Sequence, residues 1–169
     1  MRLFTTLTSF IVLLLGLTTH ATTLAGLNQA ELIQRADVIV HATPIHQISQ
    51  WRGSRIVTIY TLSVSDYLAG AGPKELQVEL LGGQVEGLAQ HVSGVPVLKL
   101  KEPKLLFLRQ NRTELSFSPI QLGLGVFSFD AAAQTWGPEL GDVHILGQVP
   151  VSASFDELKV RIKALRAPK

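Results

Sequence analysis

The sequence predicts a mainly β fold, a barrel or a sandwich of six or seven short strands, with one helix near each end. Segments rich in β-branched residues recur between clusters of Gly and Pro, as the short strands of such folds do. Two capping boxes, one near each end of the chain, mark the starts of helices. The 169 residues include no cysteine, so burial alone must stabilise the fold.

The first helix is predicted to begin after Asn28, because Asn28 and Glu31 have the spacing of a capping box. Leu27 and Leu32 flank this start at the spacing of a hydrophobic staple. The helix is expected to end near Ala36.

Three strands are predicted in the first half of the chain. Residues 38–42 and 55–64 are rich in Ile, Val and Thr, and residues 51–54 form the turn that links them. Residues 67–74 contain Gly and Pro and interrupt the pattern. Residues 75–80 then alternate polar and apolar side chains, which predicts a strand with one face toward water.

A glycine-rich connection, residues 82–96, leads into the second half of the chain. Four further strands are predicted there, the first two as a hairpin-like pair, at residues 97–100, 105–108, 115–120 and 126–129. Residues 130–137 have the length of a loop, with Trp136 at its exit.

The closing helix is predicted to begin after Ser154, which forms a second capping box with Glu157. Its apolar residues follow the spacing of one helix face and are expected to pack on the sheet: Phe155, Leu158, Ile162 and Leu165. Since no linker or repeat interrupts the chain, residues 22–169 are predicted to form a single domain.

The first 21 residues have the features of a secretory signal peptide: the cation Arg2, the apolar residues 3–17, and small residues before a cut after Ala21. Ala25 is a second possible cut. The apolar stretch is shorter than the ~20 residues of a spanning helix, although an uncleaved anchor is the alternative. We therefore expect a periplasmic or secreted protein without stable membrane insertion.

The charges are nearly balanced. Removal of Arg2 from the 15 basic residues leaves 14 against 13 acidic residues, which is not the charge pattern of a nucleic-acid-binding protein. The only basic cluster lies at the end of the chain and comprises Lys159, Arg161, Lys163, Arg166 and Lys169.

The sequence contains no motif for catalysis or for a cofactor. The histidines of the mature chain, at positions 41, 46, 91 and 144, have no metal-site spacing, and hydrolase and phosphate-loop motifs are absent. We therefore predict a protein that is not an enzyme and that binds neither a metal nor a cofactor. A catalytic pair that meets only in space would leave no such motif.

Large aromatic and cationic residues at turns indicate a binding surface instead. Trp51, Arg52 and Arg55 lie at or beside one predicted turn, and Trp136 lies in a second loop. Trp and Arg are enriched at binding hot spots because each combines a large contact area with a polar group. The alternative is that the tryptophans close the mouth of a barrel.

An ordered set of motifs resembles a functionally uncharacterised group of exported bacterial proteins. The resemblance covers about residues 36–129. Its motifs are Ala36-Asp37 before a β-branched strand, Leu68-Ala69-Gly70, Gly82-Gly83, Val92 to Pro96, Leu106-Phe107-Leu108 and, more loosely, Gln121 to Phe127. Lys101-Glu102-Pro103 stands where such proteins usually have Gly-Glu.

More distantly, this plan resembles the netrin-like, OB-type barrel of the tissue inhibitors of metalloproteinases. The resemblance implies a small OB-like barrel, but the zinc-chelating cysteine of those inhibitors has no counterpart here. We expect an exported, non-catalytic binding module of the cell envelope that contacts an envelope or extracellular protein. The alternatives are a protease-inhibitor or prodomain-like factor, and a binder of glycan or another small ligand.

Overall fold

The computed structural model describes residues 23–111, 115–141 and 143–167. The predicted signal peptide, residues 1–21, and Lys169 of the basic cluster lie outside the described residues. Neither helix of the described chain has the length and apolar character needed to cross a bilayer.

Both predicted helices are present. Helix α1 spans Gln29–Arg35 and helix α2 spans Phe155–Arg166. Asn28 and Ser154 cap them, and each side chain accepts a hydrogen bond from the backbone N–H three residues later, as the capping boxes predict.

The rest of the described chain is mainly strand, so the mainly β class with two flanking helices is confirmed. The strands are β1 (Thr23–Ala25), β2 (Val38–Arg52), β3 (Arg55–Ala69), β4 (Glu75–Leu81), β5 (Gly83–Val85), β6 (Leu88–Gln90), β7 (Lys104–Gln110), β8 (Phe117–Pro119), β9 (Val126–Asp130), β10 (Thr135–Pro138) and β11 (His144–Leu146).

Seven strands form one sheet in the order β10-β9-β7-β2-β3-β4-β8. A further pairing of β7 with β8 closes five of them into a ring, β2-β3-β4-β8-β7. Strands β5 and β6 form a separate short hairpin, and β1 pairs in parallel with β11. An OB-type fold is also built on five strands. Membership of a netrin-like family stays a prediction.

Strands β2 and β3 are longer than predicted. Each has 15 residues, and the turn between them consists of Gly53 and Ser54 alone. Gly53 has φ +61°, a conformation that glycine adopts without steric cost. The polar stretch after Ala42 stays extended because it pairs with β3 across bulges that include the one at Pro44/His46.

The predicted strand at residues 97–100 is wrong. That segment has no strand structure, and Leu98 is fully buried within the ring. Residues 105–108 do form a strand, but their partner is β2, which pairs with them over Val38–Ala42. The segment at residues 97–100 therefore does not form the expected hairpin with β7. It places Leu98 inside the ring instead.

The sheet has a core on each side. Along β7, Leu106 and Leu108 point into the ring, whereas Leu105 and Phe107 point toward the helices. The first cluster, the ring core, includes Val38, Val40, Leu62, Val78 and Leu98. The second, the helix core, includes Leu32, Ile33, Ile39, Phe127 and Ile162. Strands buried on both faces explain the continuous apolar runs in the sequence.

Helix α2 packs on the sheet as its apolar spacing predicts. Leu158 and Ile162 are fully buried in the helix core, and Phe155 packs against it. Leu165, the last residue of the predicted stripe, is 40% exposed instead, because it lies in the last turn of the helix.

Candidate functional site

The far half of the β2–β3 hairpin extends beyond the part of β2 that is paired on both edges. Strand β7 pairs with β2 only at Val38–Ala42. From Ile45 to Arg52, β2 has β3 on one edge and, within the described chain, no strand on the other. We call residues 45–61 the hairpin arm, and the unpaired side of β2 from Ile45 to Arg52 its free edge.

The strand register shows which backbone groups face the free edge. Arg52 and Arg55 flank the two-residue turn, and a pair in that position exchanges both hydrogen bonds of the ladder. In an antiparallel pair, bonded and non-bonded positions alternate. The N–H and C=O groups of Gln47, Ser49 and Trp51 are therefore directed away from β3.

An observation on β3 supports this assignment. Ile56 pairs with Trp51, and its own backbone groups bond away from β2: the N–H donates to Gln90 Oε1 at 2.7 Å, and the carbonyl accepts from Gly82 N–H at 2.8 Å. Trp51 occupies the non-bonded position of the same pair. The free edge thus presents three residues with outward donors and acceptors.

The outer face of the arm carries exposed apolar side chains. Ile48 is 54% exposed and lies opposite the half-buried Ile59, and the exposed Leu81 of β4 lies beside Val57. Residues directly opposite on neighbouring strands share one face of the sheet. Ile48, Ile59 and Leu81 therefore form an apolar strip on one face.

An ion pair lies on the same outer face. Arg52 Nη2 contacts Glu79 Oε2 at 2.8 Å, and β3 lies between their strands. Glu79 pairs with Ile59 in the register, so its carboxylate belongs to the same face as the apolar strip. The outer face thus combines apolar area with polar groups, as the surfaces of protein interfaces do.

The inner face of the arm is covered by the β5–β6 hairpin, which we call the flap. Thr58 Oγ1 donates to the Gly82 carbonyl at 2.8 Å and lies 2.8 Å from Ser49 Oγ. A Cβ at Gly83 would lie 2.3 Å from Thr58 Oγ1, so only glycine permits this close approach. Hydrogen bonds within the chain thus hold the flap on the arm.

A cleft of about 440 Å³ lies between the flap and the arm. Its polar lining includes Ser49, Thr58, Gln84, Gln90 and His91. Ser49, Thr58 and Gln90 already bond within the chain. These hydrogen bonds attach the flap to the arm, which accounts for three of the polar residues that line the cleft.

The four residues predicted as a binding surface do not form one site. Trp51, Arg52 and Arg55 lie together beside the arm's turn, where Trp51 is 44% exposed. Trp136 belongs to β10, is 8% exposed, and is part of the helix core. The expectation that Trp136 lies exposed in a loop is therefore wrong.

Two contacts explain the burial of Trp136. Its strand pairs with β9, and its backbone bridges to Ala153 just before helix α2. Its ring meets His41 edge-on at 5.4 Å between ring centres and lies 5.9 Å from the ring of Phe155. No local sequence pattern predicts a contact between β10 and the segment that precedes α2.

His41 lies in this aromatic cluster on the helix side of β2. Burial lowers the pKa of its imidazole, Asp66 opposes that effect, and Lys159 adds to it. Within the described residues, no three His, Asp or Glu side chains converge as a metal-ligand set. His41 packs against aromatic rings at a centroid distance of 5.2 Å from Phe155.

A charged cluster that sequence reasoning missed lies between β7 and the segment after β10. The Lys104 side chain is only 5% exposed, and its Nζ contacts Glu139 Oε1 at 2.6 Å and Ser128 Oγ at 2.7 Å. Ser128 also hydrogen-bonds to Glu139, and Glu102 approaches Lys104 at 3.5 Å. Ser128 and Glu139 are distant from Lys104 in the sequence, so no motif signals the cluster.

The contacts of the cluster compensate the buried charge of Lys104. A lysine that activates a serine must accept its proton through a free amine lone pair. The Lys104 ammonium is instead paired with the Glu139 carboxylate, and such pairing offsets the cost of burying a charge. The arrangement therefore favours a structural role for Ser128 and Lys104.

The comparisons with known proteins found no match to this chain, either among protein-family models or among curated proteins.

Proposed function

We propose that this protein is an exported, non-catalytic binding module of the bacterial cell envelope, and that it holds a partner protein on the hairpin arm. The partner contributes an extended segment that adds to the free edge as a further strand. The observation that carries this proposal is the free edge itself, with the outward backbone groups of Gln47, Ser49 and Trp51.

Between its two ends, the free edge lacks the charged residues and the proline that commonly protect an exposed strand. Edge strands are commonly guarded by Lys, Pro or inward-pointing charges, because an unguarded edge pairs with other chains. Residues 45–51 contain no Lys, Arg, Asp, Glu or Pro, whereas Pro44 and Arg52 stand at the two ends. An open and uncharged edge of this length favours a pairing partner.

The side chains beside the free edge supply anchors for the partner. Ile48 on the outer face and Trp51 on the inner face are both about half exposed. Strand addition draws affinity from main-chain hydrogen bonds and specificity from the side chains on either face. We retain Trp51 as the proposed hot-spot residue, and we place Arg52 and Arg55 at the rim of the proposed interface.

Export and the absence of catalysis complete the proposal. The signal-peptide features of residues 1–21 support export. The proposal assigns no catalytic step to the buried Lys104–Glu139 pair.

Site-specific photocrosslinking in the native host tests the proposal. A photo-reactive amino acid in place of Ile48 should form a covalent product with one envelope protein, identified by mass spectrometry. The matched control is the same amino acid in place of Val160, which is 69% exposed on helix α2 and should not capture that protein. A product containing two copies of this chain, or equal capture from both positions, would contradict the proposal.

Proline at the free edge separates strand addition from simple surface contact. Gln47→Pro removes an outward N–H without removing a β2–β3 hydrogen bond, because proline is tolerated at strand edges. We expect it to weaken capture of the crosslinked partner by about tenfold or more, whereas Gln47→Ala should not. Equal capture by both variants would show that the edge is not used.

A further inference from the structure

A cleft lies on the other side of the sheet, between the end of β3 and helix α2. Its volume is about 500 Å³, and its lining comprises Asp66, Tyr67, Leu68, Lys159, Lys163, Arg166 and Ala167. Positions 159, 163 and 166 fall on one helical face, since residues three and four apart are neighbours on a helix. Three cations of the terminal basic cluster therefore converge here, and we call this the basic cleft.

The cations of the basic cleft are only partly compensated. Lys159 Nζ lies 3.2 Å from Asp66 Oδ2, and Arg166 donates to the carbonyl of Ala36. Lys163 has no ion pair or hydrogen bond within the described residues. With Asp66 as the single carboxylate of the lining, the cleft keeps an excess of positive charge although the whole chain is nearly neutral.

A second cleft of the same size provides a contrast. The cleft beside Lys104, also about 500 Å³, is lined by two lysines and two glutamates. Its charges balance, and Lys104 is paired with Glu139 at 2.6 Å. Of these two clefts, only the basic cleft would gain charge compensation from an anion.

The basic cleft also has apolar surface beneath its cations. Leu68 packs against the helix core, and Ala167 is a second apolar residue of the lining. The stem of a lysine side chain adds further apolar area to such a surface. The cleft thus offers a cationic rim above an apolar floor.

We propose that the basic cleft binds an amphipathic anion, in which one phosphate or carboxylate group meets Lys163 and Arg166 and an aliphatic chain lies on Leu68 and Ala167. The anionic group supplies the missing negative charge, and the chain covers the apolar floor. This site is separate from the hairpin arm and does not rest on the proposed function.

Isothermal titration calorimetry with octyl phosphate, below its micellar concentration, tests the proposal. We expect one saturable site, binding octyl phosphate at least about tenfold more tightly than inorganic phosphate, since the chain adds buried apolar area. Octyl glucoside, with the same chain and no charge, should not bind. Equal affinity for the glucoside and the phosphate would overturn the proposal.

Two variants of helix α2 locate the site. Lys163→Ala should weaken octyl phosphate binding by about tenfold, the loss expected for one charge-assisted hydrogen bond. Arg161→Ala is the matched control, because Arg161 is directed to Gln29 Oε1 and does not line the cleft. Both residues are exposed, so both variants should fold. Equal binding by wild type and Lys163→Ala would also overturn the proposal.

Vesicle sedimentation distinguishes the source of the anion. Binding to phosphatidylglycerol vesicles but not to phosphatidylcholine vesicles, lost in Lys163→Ala, would identify a lipid headgroup. Binding of octyl phosphate without binding to either vesicle would identify a free amphiphile. Failure of both probes would overturn the basic cleft alone, because crosslinking from Ile48 reports on the hairpin arm.

Discussion

The two halves of β2 have different surroundings although they form one continuous strand. Residues 38–42 lie between β3 and β7, with the ring core on one face and the helix core on the other. Residues 45–52 keep only β3 as a strand neighbour in the described chain, and they lie under the flap on one face and outside the cores on the other. The covered half supports the fold, whereas the open half keeps an unpaired strand edge.

The two tryptophans of the chain illustrate the same difference. Trp136 lies on the helix side, packed against His41 and Phe155, whereas Trp51 lies near the end of the open half. Both belong to strands, so secondary structure does not distinguish them. What differs is that the helix core buries Trp136, whereas Trp51, on the same face of the arm as the flap, stays 44% exposed.

The largest expected effect tests this contrast between the tryptophans. Trp136→Ala should lower the free energy of unfolding by ~3–5 kcal/mol, because truncation of a buried aromatic leaves a cavity. Trp51→Ala should lower it by less than about 1 kcal/mol, as for other exposed positions. Urea unfolding of both variants provides the measurement. Similar losses for the two would remove the distinction between a covered and an open region.

The next effect concerns the helix that covers the sheet. Leu158→Ala should cost ~2–5 kcal/mol, since Leu158 is fully buried in the helix core. Val160→Ala, on the exposed side of the same helix, should change stability by less than about 1 kcal/mol. If chemical denaturation gave small and equal losses for both, helix α2 would not be docked on the sheet.

A smaller effect is expected on the open half, where polar contacts hold the flap. Thr58→Val should cost about 1–2 kcal/mol, because the buried Gly82 carbonyl loses its hydroxyl donor. Limited proteolysis should then cut the flap, residues 83–90, faster than in the wild type. Thr61→Val, on the outer face, is the control and should leave the cleavage rate unchanged. Unchanged cleavage in Thr58→Val would mean that other contacts hold the flap.

The smallest effect concerns pH and the covered half. Burial lowers the folded-state pKa of His41 below its ordinary value of 6.5, so the unfolded chain binds more protons near that pH. The stability that comes from neutral His41 is therefore complete above pH 6.5 and is lost as the pH falls through the lower, folded-state pKa. His41→Gln should reduce the loss of melting temperature between about pH 7.5 and 5.5.

His46→Gln is the control for this pH experiment, because it removes an exposed imidazole from the open half of the same strand. It should leave the difference in melting temperature between the two pH values as in the wild type. A reduction as large as that in His41→Gln would assign the pH dependence to something other than burial beside Trp136 and Phe155.

Local patterns in the sequence predicted the elements that depend on neighbours in the chain. The starts of both helices were correct because a capping box joins residues three positions apart. The apolar spacing of α2 correctly placed Leu158 and Ile162 in the core. Trp51, Arg52 and Arg55 lie beside the same turn, as their closeness in the sequence predicts, whereas their role in binding stays a prediction.

Tertiary structure decided every feature whose partners are distant in the sequence. The burial of Trp136 depends on the segment before α2 and on His41 of β2, and the Lys104–Glu139 contact joins residues 35 positions apart. The basic cleft needs β3 and α2 together. Sequence periodicity predicts which face of an element is apolar. How the strands pair then decides which layer covers that face and which strand edge stays open.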